Sequence, residues 1–352
     1  MFLISGGLLA AFEVALCLSL NLDHESKWTS DLKSRDQLLL SIVVTSYSRR
    51  RAGDLRDLFE SVTKQGSLDM MELIVIIEKE NALFDYVKRV LNEIHSLSST
   101  VLYFPHIGGM SGARNIGAEE SRGKFIAFVD DDVILDEGWF ASLSRVVNSH
   151  DIISITGPSH PLWGSTKLDW LPRELSWLVG STDWFDCHAL TEVRNAWGYN
   201  MAVRRSEFLA VHGFTERFGL HNASRKRWFD PPSEDVDLSL RLVNRFGKPV
   251  LYVPGFSVHH KVLSQKVSVF FMAQRAYSLG FQRKSIRMAY SKLKAEGSPL
   301  SLEMSLVPRM LLLLPKSMAK APKSPTRSLH IISSVVIVLL FAFLGHLDKR
   351  AY

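Results

Sequence analysis

Phe125-Ile126-Ala127-Phe128-Val129-Asp130-Asp131-Asp132 is an apolar run of strand length that ends abruptly in three consecutive carboxylates. Three adjacent anions repel one another and cannot be left dry, so they need either a cation or solvent. Open α/β sheets bind ligands just outside the C-terminal edge of their strands, where such acids suit a metal-bound phosphate ligand. A solvated acidic turn after a core strand satisfies the same residues, and the stretch alone leaves both readings open.

The chain before it repeats one pattern. Leu38 to Thr45 reads as a buried strand, and Ser46-Tyr47-Ser48-Arg49-Arg50-Arg51 turns the chain at its end. Asp54 is a candidate cap for a helix whose Leu55, Leu58, Phe59 and Val62 share one face. Leu73 to Ile77 is a second buried strand, ending in Glu78, and Leu83, Val87, Val90, Leu91 and Ile94 fall in helical phase after it. Val101 to Phe104 is a third strand, and Gly108-Gly109 with Ser111-Gly112 opens a short helix through Arg114 and Asn115. Strands alternating with amphipathic helices predict an α/β fold with a mostly parallel central sheet. Polar residues at successive strand ends then converge on one crevice.

Beyond Gly157 the pattern changes, and Trp163, Trp170, Trp177 and Trp184 recur every seven residues. Gly164, Pro172 and Gly180 argue against one continuous heptad helix. The tryptophans then serve either core and lid packing or as aromatic platforms for a sugar or lipid. Ala196 to Val203 reads as a loop entering a strand, and Arg225-Lys226-Arg227-Trp228 as a basic loop that meets either phosphates or solvent. Pro231-Pro232-Ser233-Glu234-Asp235-Val236-Asp237 has the grammar of a helix start, with Ser233 as N-cap and acids in the first turn. Leu251 to Val253 is a short strand, followed by the pair His259-His260, which is either a metal ligand with a neighbour or surface.

Charge divides sharply along the 352 residues. Residues 1 to 260 hold 27 Lys+Arg against 33 Asp+Glu, whereas residues 261 to 352 hold 15 against 3. Basicity confined to a tail beside an apolar segment fits an anionic membrane surface, and no aromatic-and-basic motif supports nucleic acid. Ser328 to Leu347 is 20 residues without Asp, Glu, Lys or Arg, about 30 Å as a helix and enough to span a bilayer. Lys316, Lys320, Lys323 and Arg327 before it outnumber Lys349 and Arg350 after it, which places the globular part in the cytoplasm. Leu306 to Leu314, interrupted by Pro308 and Arg309, suits an interfacial helix; residues 1–22 are an apolar segment, either membrane-spanning or packed. Cys17 and Cys187 have no zinc or redox spacing and fit a reducing compartment.

Taken in order, these segments resemble glycosyltransferase family 2, the inverting nucleotide-sugar transferases with the Rossmann-like GT-A fold. The likeness runs from about Ser41 to His260. It rests on Ser41-Ile42-Val43-Val44-Thr45-Ser46-Tyr47-Ser48-Arg49, with Ser48 where Asn is usual, and on Glu78 where an Asp commonly stands. Gly112-Ala113-Arg114-Asn115-Ile116-Gly117, Gly123-Lys124-Phe125 with the three aspartates, Tyr199 to Arg205, Gly213-Phe214 and Ser233 to Leu238 complete it. The resemblance implies that Thr45, Tyr47, Glu78 and Arg114 hold the nucleotide, with Asp130 and Asp131 on ribose or metal-bound water. It also implies that Asp132, with His259 or His260, coordinates Mg²⁺ or Mn²⁺. By the same likeness Asp235 is the general base and Glu234 orients the acceptor; Asn200, Arg225, Arg227 and Trp228 are candidate contacts to the acceptor or a phosphate. The basic, interfacial and spanning order of the tail looks like that of enzymes building polyprenyl-linked glycans. It implies a nucleoside diphosphate sugar donor and a polyprenyl phosphate- or diphosphate-linked saccharide acceptor. A polyprenyl-phosphate monosaccharide synthase is the alternative, and a sugar nucleotidyltransferase or a silent membrane scaffold is more remote. The expected division is a GT-A domain over 38–265, a basic helical region over 266–327 and a span over 328–347.

Overall fold

A computed structural model describes residues 38–105, 109–164, 170–215, 234–263, 266, 268–290 and 301–349. The apolar N-terminal segment, Gly108, Ser233 and the basic loop with Arg225, Arg227 and Trp228 lie outside the described residues. The eight-stranded sheet has the order β3-β2-β1-β4-β9-β6-β10-β8. Its first four members are β1 (Leu40–Ser46), β2 (Met71–Glu78), β3 (Ser98–Phe104) and β4 (Phe125–Asp130), all parallel. β9 (Asn200–Arg204) runs antiparallel between β4 and β6 (Ser154–Thr156), and β10 (Val250–Tyr252) with β8 (Thr191–Val193) closes the far side.

The central strands β1, β2 and β4 are largely apolar on both faces because helices cover both. Leu40, Ile42 and Val44 of β1 join the cluster beneath α1 (Ala52–Thr63) and α2 (Asn81–Asn92), while Val43 joins the opposite one beneath α3 (Met110–Glu120). Glu72, a buried acid inside β2, is satisfied by the Ser41 hydroxyl at 2.6 Å and by Arg122 Nε at 2.8 Å. α4 (Trp139–Ser149) sends Trp139 into the first cluster, stacked on Phe256 with centroids 4.4 Å apart. Asp54 does not cap α1 as expected. The helix begins earlier, at Ala52, so Asp54 sits in its first turn and binds Arg51 (3.0 Å) and Lys261 (2.8 Å) instead.

A second, three-stranded sheet orders β5 (Val133–Leu135), β11 (Val258–Val262) and β7 (Ser159–Trp163). Its register sets His260 opposite Val133, the residue after the three aspartates. α5 (Arg205–Ala210) follows β9, and α6 (Glu234–Phe246) begins with the acid pair and buries Val236, Leu238 and Leu242.

The tail forms α7 (Val269–Ala289), α8 (Ser301–Lys320) and α9 (Pro325–Leu347). Trp184 is buried and Trp163, Trp170 and Trp177 half-buried in one cluster with Met272 of α7, Leu306 and Met310 of α8, and Val335 and Val338 of α9. The seven-residue spacing thus serves packing: these rings seat the tail helices on the sheet domain. α7 and α9 cross closely at glycines. A Cβ on Gly280 would lie 1.9 Å from the Ala342 carbonyl oxygen, and one on Gly345 2.0 Å from that of Tyr277. Among the described residues α9 is the one helix long and apolar enough to cross a membrane, and Leu329, Val336, Leu340, Phe343 and Leu347 are exposed along it.

Candidate active site

The C-terminal ends of β1, β2 and β4 meet at one edge, because parallel pairing sets Thr45 beside both Ile76 and Asp130. Thr45, Tyr47, Glu78 and the aspartates therefore share this rim, with Tyr47 exposed and Glu78 buried. Burial raises the Glu78 carboxyl above its ordinary range, against the pull of Lys79.

The three aspartates part company. Asp130 accepts a 2.8 Å bond from Arg114 Nη2. Asp131 turns to the Ser46 hydroxyl and to Arg51 Nε at 3.5 Å; burial dominates and pushes its carboxyl up to about 7, with Arg51 opposing. Asp132 is 2.9 Å from His260 Nε2, 3.0 Å from Arg51 Nη1 and 3.2 Å from Lys266 Nζ. Burial alone would raise Asp132, but His260, through its hydrogen bond and charge, and then Lys266 and Arg51 hold it well below the usual carboxylate range.

Asp130, Asp132 and His260 place one ligand atom each within 4.8 Å of one another. Two hard carboxylate oxygens and one imidazole nitrogen suit a divalent ion such as Mn²⁺ or Mg²⁺. His259 does not join them. Side chains alternate along a strand, so its Nδ1 faces the other way, 2.7 Å from Asp136. The His260 ring rests against Gly180, whose φ of +82° and missing Cβ make the room.

Across the crevice stands the start of α6. Arg114, 3% exposed, reaches from Asp130 to Glu234 Oε1 at 3.3 Å and to the Gly198 carbonyl at 2.8 Å. Its chain position is held by the next residue: the Asn115 amide donates to the Phe214 carbonyl at 2.9 Å and accepts from the Phe214 N–H at 2.8 Å. Glu234 is buried, and its Oε2 has no hydrogen-bond partner among the described residues. Burial first, then the charge of Asp235, raises its pKa, while Arg114 acts against them. Asp235 keeps partial exposure and accepts from the Gly198 N–H at 3.1 Å and the Val236 N–H at 2.8 Å. Tyr199 is half-buried, its ring 5.7 Å from that of His260.

Asn200 does not reach the crevice. It is fully buried, its amide donating to the Phe256 carbonyl at 2.7 Å and accepting from Trp139 Nε1 at 3.0 Å, so it locks the core behind the site rather than meeting an acceptor. Conversely, Arg51, Lys266 and Gly180 gave no signal by type or spacing: only the folded chain turns one of three consecutive arginines and one tail lysine onto Asp132.

Residues 41–208 match the family model described as glycosyl transferase family 2. This segment is a glycosyl transferase family 2 domain. It holds the three aspartates and Arg114, and α6 and β11, just beyond the match, complete the crevice with Glu234, Asp235 and His260. The family 2 domain makes the chain a glycosyltransferase. A curated relative, the glucosyl-dolichyl phosphate glucuronosyltransferase of Haloferax volcanii, is 26% identical over 253 residues, covering 71% of this chain and 78% of the relative. Among solved structures, the mannosyltransferase PcManGT from Pyrobaculum calidifontis with GDP-Man and Mn²⁺ is similar at a TM-score of 0.54 and 15% identity, over 85% of this chain and 86% of that one. GalNAc-T7 with UDP, GalNAc and Mn²⁺ is similar at a TM-score of 0.52 and 15% identity, over 77% of this chain and 54% of that one, so the chain spans about half its length. These likenesses show a GT-A-like fold around the family 2 domain.

Proposed function

We propose that the chain is a metal-dependent inverting glycosyltransferase that moves a sugar from a nucleoside diphosphate sugar to a polyprenyl phosphate- or diphosphate-linked saccharide at a membrane. One observation carries the reading: the Asp130–Asp132–His260 group and the partly exposed Asp235 stand on opposite sides of one crevice, linked through Arg114. Asp130, Asp132 and His260 would hold a divalent ion, which would supply positive charge for the leaving diphosphate. Thr45, Tyr47 and Glu78 line the rim for the nucleoside, and Asp131 lies inward of it.

Asp235 is the general base. An acceptor hydroxyl oxygen attacks the anomeric carbon, the bond from that carbon to the diphosphate oxygen breaks, and the hydroxyl proton passes to the Asp235 carboxylate. A single displacement of this kind inverts the anomeric centre. Its two backbone bonds, from Gly198 and Val236, aim the carboxylate. Glu234, buried and with a raised pKa, orients the acceptor rather than competing as base.

The membrane assignment rests on α9, on the apolar residues exposed along it, and on the dolichyl-phosphate relative. The excess of Lys and Arg before α9 supports a cytoplasmic catalytic domain. The test incubates membranes containing the full chain with Mn²⁺, a panel of nucleotide sugars and lipid acceptors, and identifies products by mass spectrometry. Sugar on a lipid-linked saccharide with inverted configuration is expected. Transfer to bare polyprenyl phosphate alone would select a monosaccharide synthase, and release of diphosphate in place of a nucleoside diphosphate would overturn the reading.

A further inference from the structure

α9 is held against folded protein along its length. Near its start His330 meets Trp170, with ring centroids 5.1 Å apart. Val335 and Val338 then enter the cluster of Trp184, Met272 and Ala276, and the Ala342 carbonyl lies against the Gly280 backbone. Just past its end Asp348 accepts from the Tyr277 hydroxyl, and the Asp348 carbonyl accepts from Lys284 Nζ at 2.8 Å. Residue numbers thus rise together, from Met272 to Lys284 and from Val335 to Asp348, so α7 and α9 run side by side in one direction. α7 in turn belongs to the sheet domain. Its Ile286 packs with Val236 and Leu240 of α6, and Tyr290, just after it, donates its hydroxyl to Asp237.

A helix that crosses a bilayer has its two ends on opposite sides of about 30 Å of hydrocarbon. Here both ends lie against the same folded body. A crossing would also carry α7 to the same depth, with Arg275, Arg283 and Lys284 on the shared stretch, and charges at membrane depth strongly oppose insertion. The surface of α9 agrees. Leu329, Val336, Leu340, Phe343 and Leu347 are exposed and recur at helical spacing on one face, while Ser334, Val335, Val338 and Gly345 are buried on the other. A helix lying in the membrane interface needs one such stripe, sunk about 5–10 Å into the headgroup and acyl boundary. Cations frame it: Lys316, Lys320, Lys323 and Arg327 before it and Lys349 after it are all exposed. α8, whose Leu306 and Met310 join the same tryptophan cluster, adds exposed Val307, Leu311 and Met318.

We infer that α9 does not cross the membrane but lies flat on an anionic bilayer, with both of its ends on the side of the sheet domain. The stripe from Leu329 to Leu347 enters the acyl boundary, and the flanking cations meet lipid phosphates. Charge selects a lipid surface over a second copy of the chain. Residues 261 to 352 hold 15 Lys+Arg against 3 Asp+Glu, so two stripes laid together would bring like-charged rims together, whereas anionic headgroups complement them. The chain is then monotopic, and the apolar length that suits a span serves as the sole on which the enzyme rests. The inference rests on the membrane assignment proposed above and not on the lipid-linked acceptor.

The test uses the full chain in sealed membrane vesicles, with Cys17→Ser and Cys187→Ser to remove the native thiols and one thiol returned by Lys323→Cys or Lys349→Cys. A membrane-impermeant maleimide should label both positions from the same face. Labelling from opposite faces means a crossing and overturns the inference. Nitroxides attached after Leu329→Cys, Val336→Cys, Leu340→Cys and Leu347→Cys then report depth in phosphatidylcholine–phosphatidylglycerol vesicles. All four should sit at one depth, about 5–10 Å below the surface. A profile deepest near the middle of the helix and shallower by about 13 Å at its ends is that of a span and overturns the inference. Four labels open to water overturn membrane docking, and dipolar broadening between copies assigns the stripe to self-association instead. Replacing phosphatidylglycerol with phosphatidylcholine should move the labels outward, and an unchanged depth overturns the anionic partner. Same-face labelling without any sugar transfer fails the proposed function and leaves this topology standing. Transfer with opposite-face labelling fails the topology alone.

Discussion

Gly180 forms the wall behind His260: a Cβ at Gly180 would stand 2.6 Å from the imidazole, and its backbone φ of +82° is one that side chains rarely adopt. His260 in turn is 2.9 Å from Asp132. Gly180→Ala should therefore push the ring off Asp132, cost about 1 to 3 kcal/mol in stability and weaken Mn²⁺ binding. Calorimetric titration of Mn²⁺ into the folded variant checks this, and an unchanged affinity would separate Gly180 from the metal group.

Asp235 and Asp132 should fail differently. Asp235→Asn keeps the shape but removes the base, so transfer should drop roughly 100- to 10,000-fold with nucleotide binding nearly intact. Asp132→Ala should weaken Mn²⁺-dependent donor binding instead. Equal turnover in the Asp235 variant would remove it from the role of base.

Lys266 and Arg51 both lie against Asp132, where a divalent ion would also seek contact. Lys266→Gln should tighten Mn²⁺ binding roughly 5- to 30-fold, the equivalent of about 1 to 2 kcal/mol of like-charge repulsion, and should lower stability in the presence of a chelator. Manganese binding followed by electron paramagnetic resonance reads the first effect, and thermal unfolding with EDTA the second.

Glu234 makes stability depend on pH with a definite sign. Its folded pKa is raised above the ordinary value of 4.5, so between that pH and the raised value the folded state holds a proton that the unfolded chain has released. The folded state binds more protons in this window, and stability must fall as pH rises through it. Asp131, pushed up to about 7, adds to the same slope. Glu234→Gln should flatten the descent, measured as the difference in denaturation midpoint between pH 5 and pH 8 for each protein. Parallel curves for variant and wild type would exclude Glu234 as a source.

The α7–α9 crossing depends on Gly280 and Gly345, where backbone meets backbone. Gly280→Val should pry the helices apart and lower the melting temperature of the detergent-solubilised chain, because carbonyl oxygens cannot give way as side-chain tips do. An equal melting temperature in the valine variant would show that the two helices do not pack through this glycine.

The sequence by itself determined the fold class, because a strand buried on both faces must be continuously apolar and the amphipathic helices between such strands force parallel pairing. It also located the organising aspartates, the acid pair at Glu234-Asp235 and the apolar tail, since each is a local run of one residue type. The division of labour within those runs was decided only by the tertiary structure. Strand alternation and the register of β11 on β5 select His260 over His259, and the same packing withdraws Asn200 into the core. Arg51 and Lys266 reach Asp132 from 81 and 134 residues away in the chain, a meeting that no local spacing encodes. Gly180 likewise acquires its role from the His260 ring that lies opposite it. Local patterns report which groups need burial or charge, whereas long-range contacts determine which partner satisfies them.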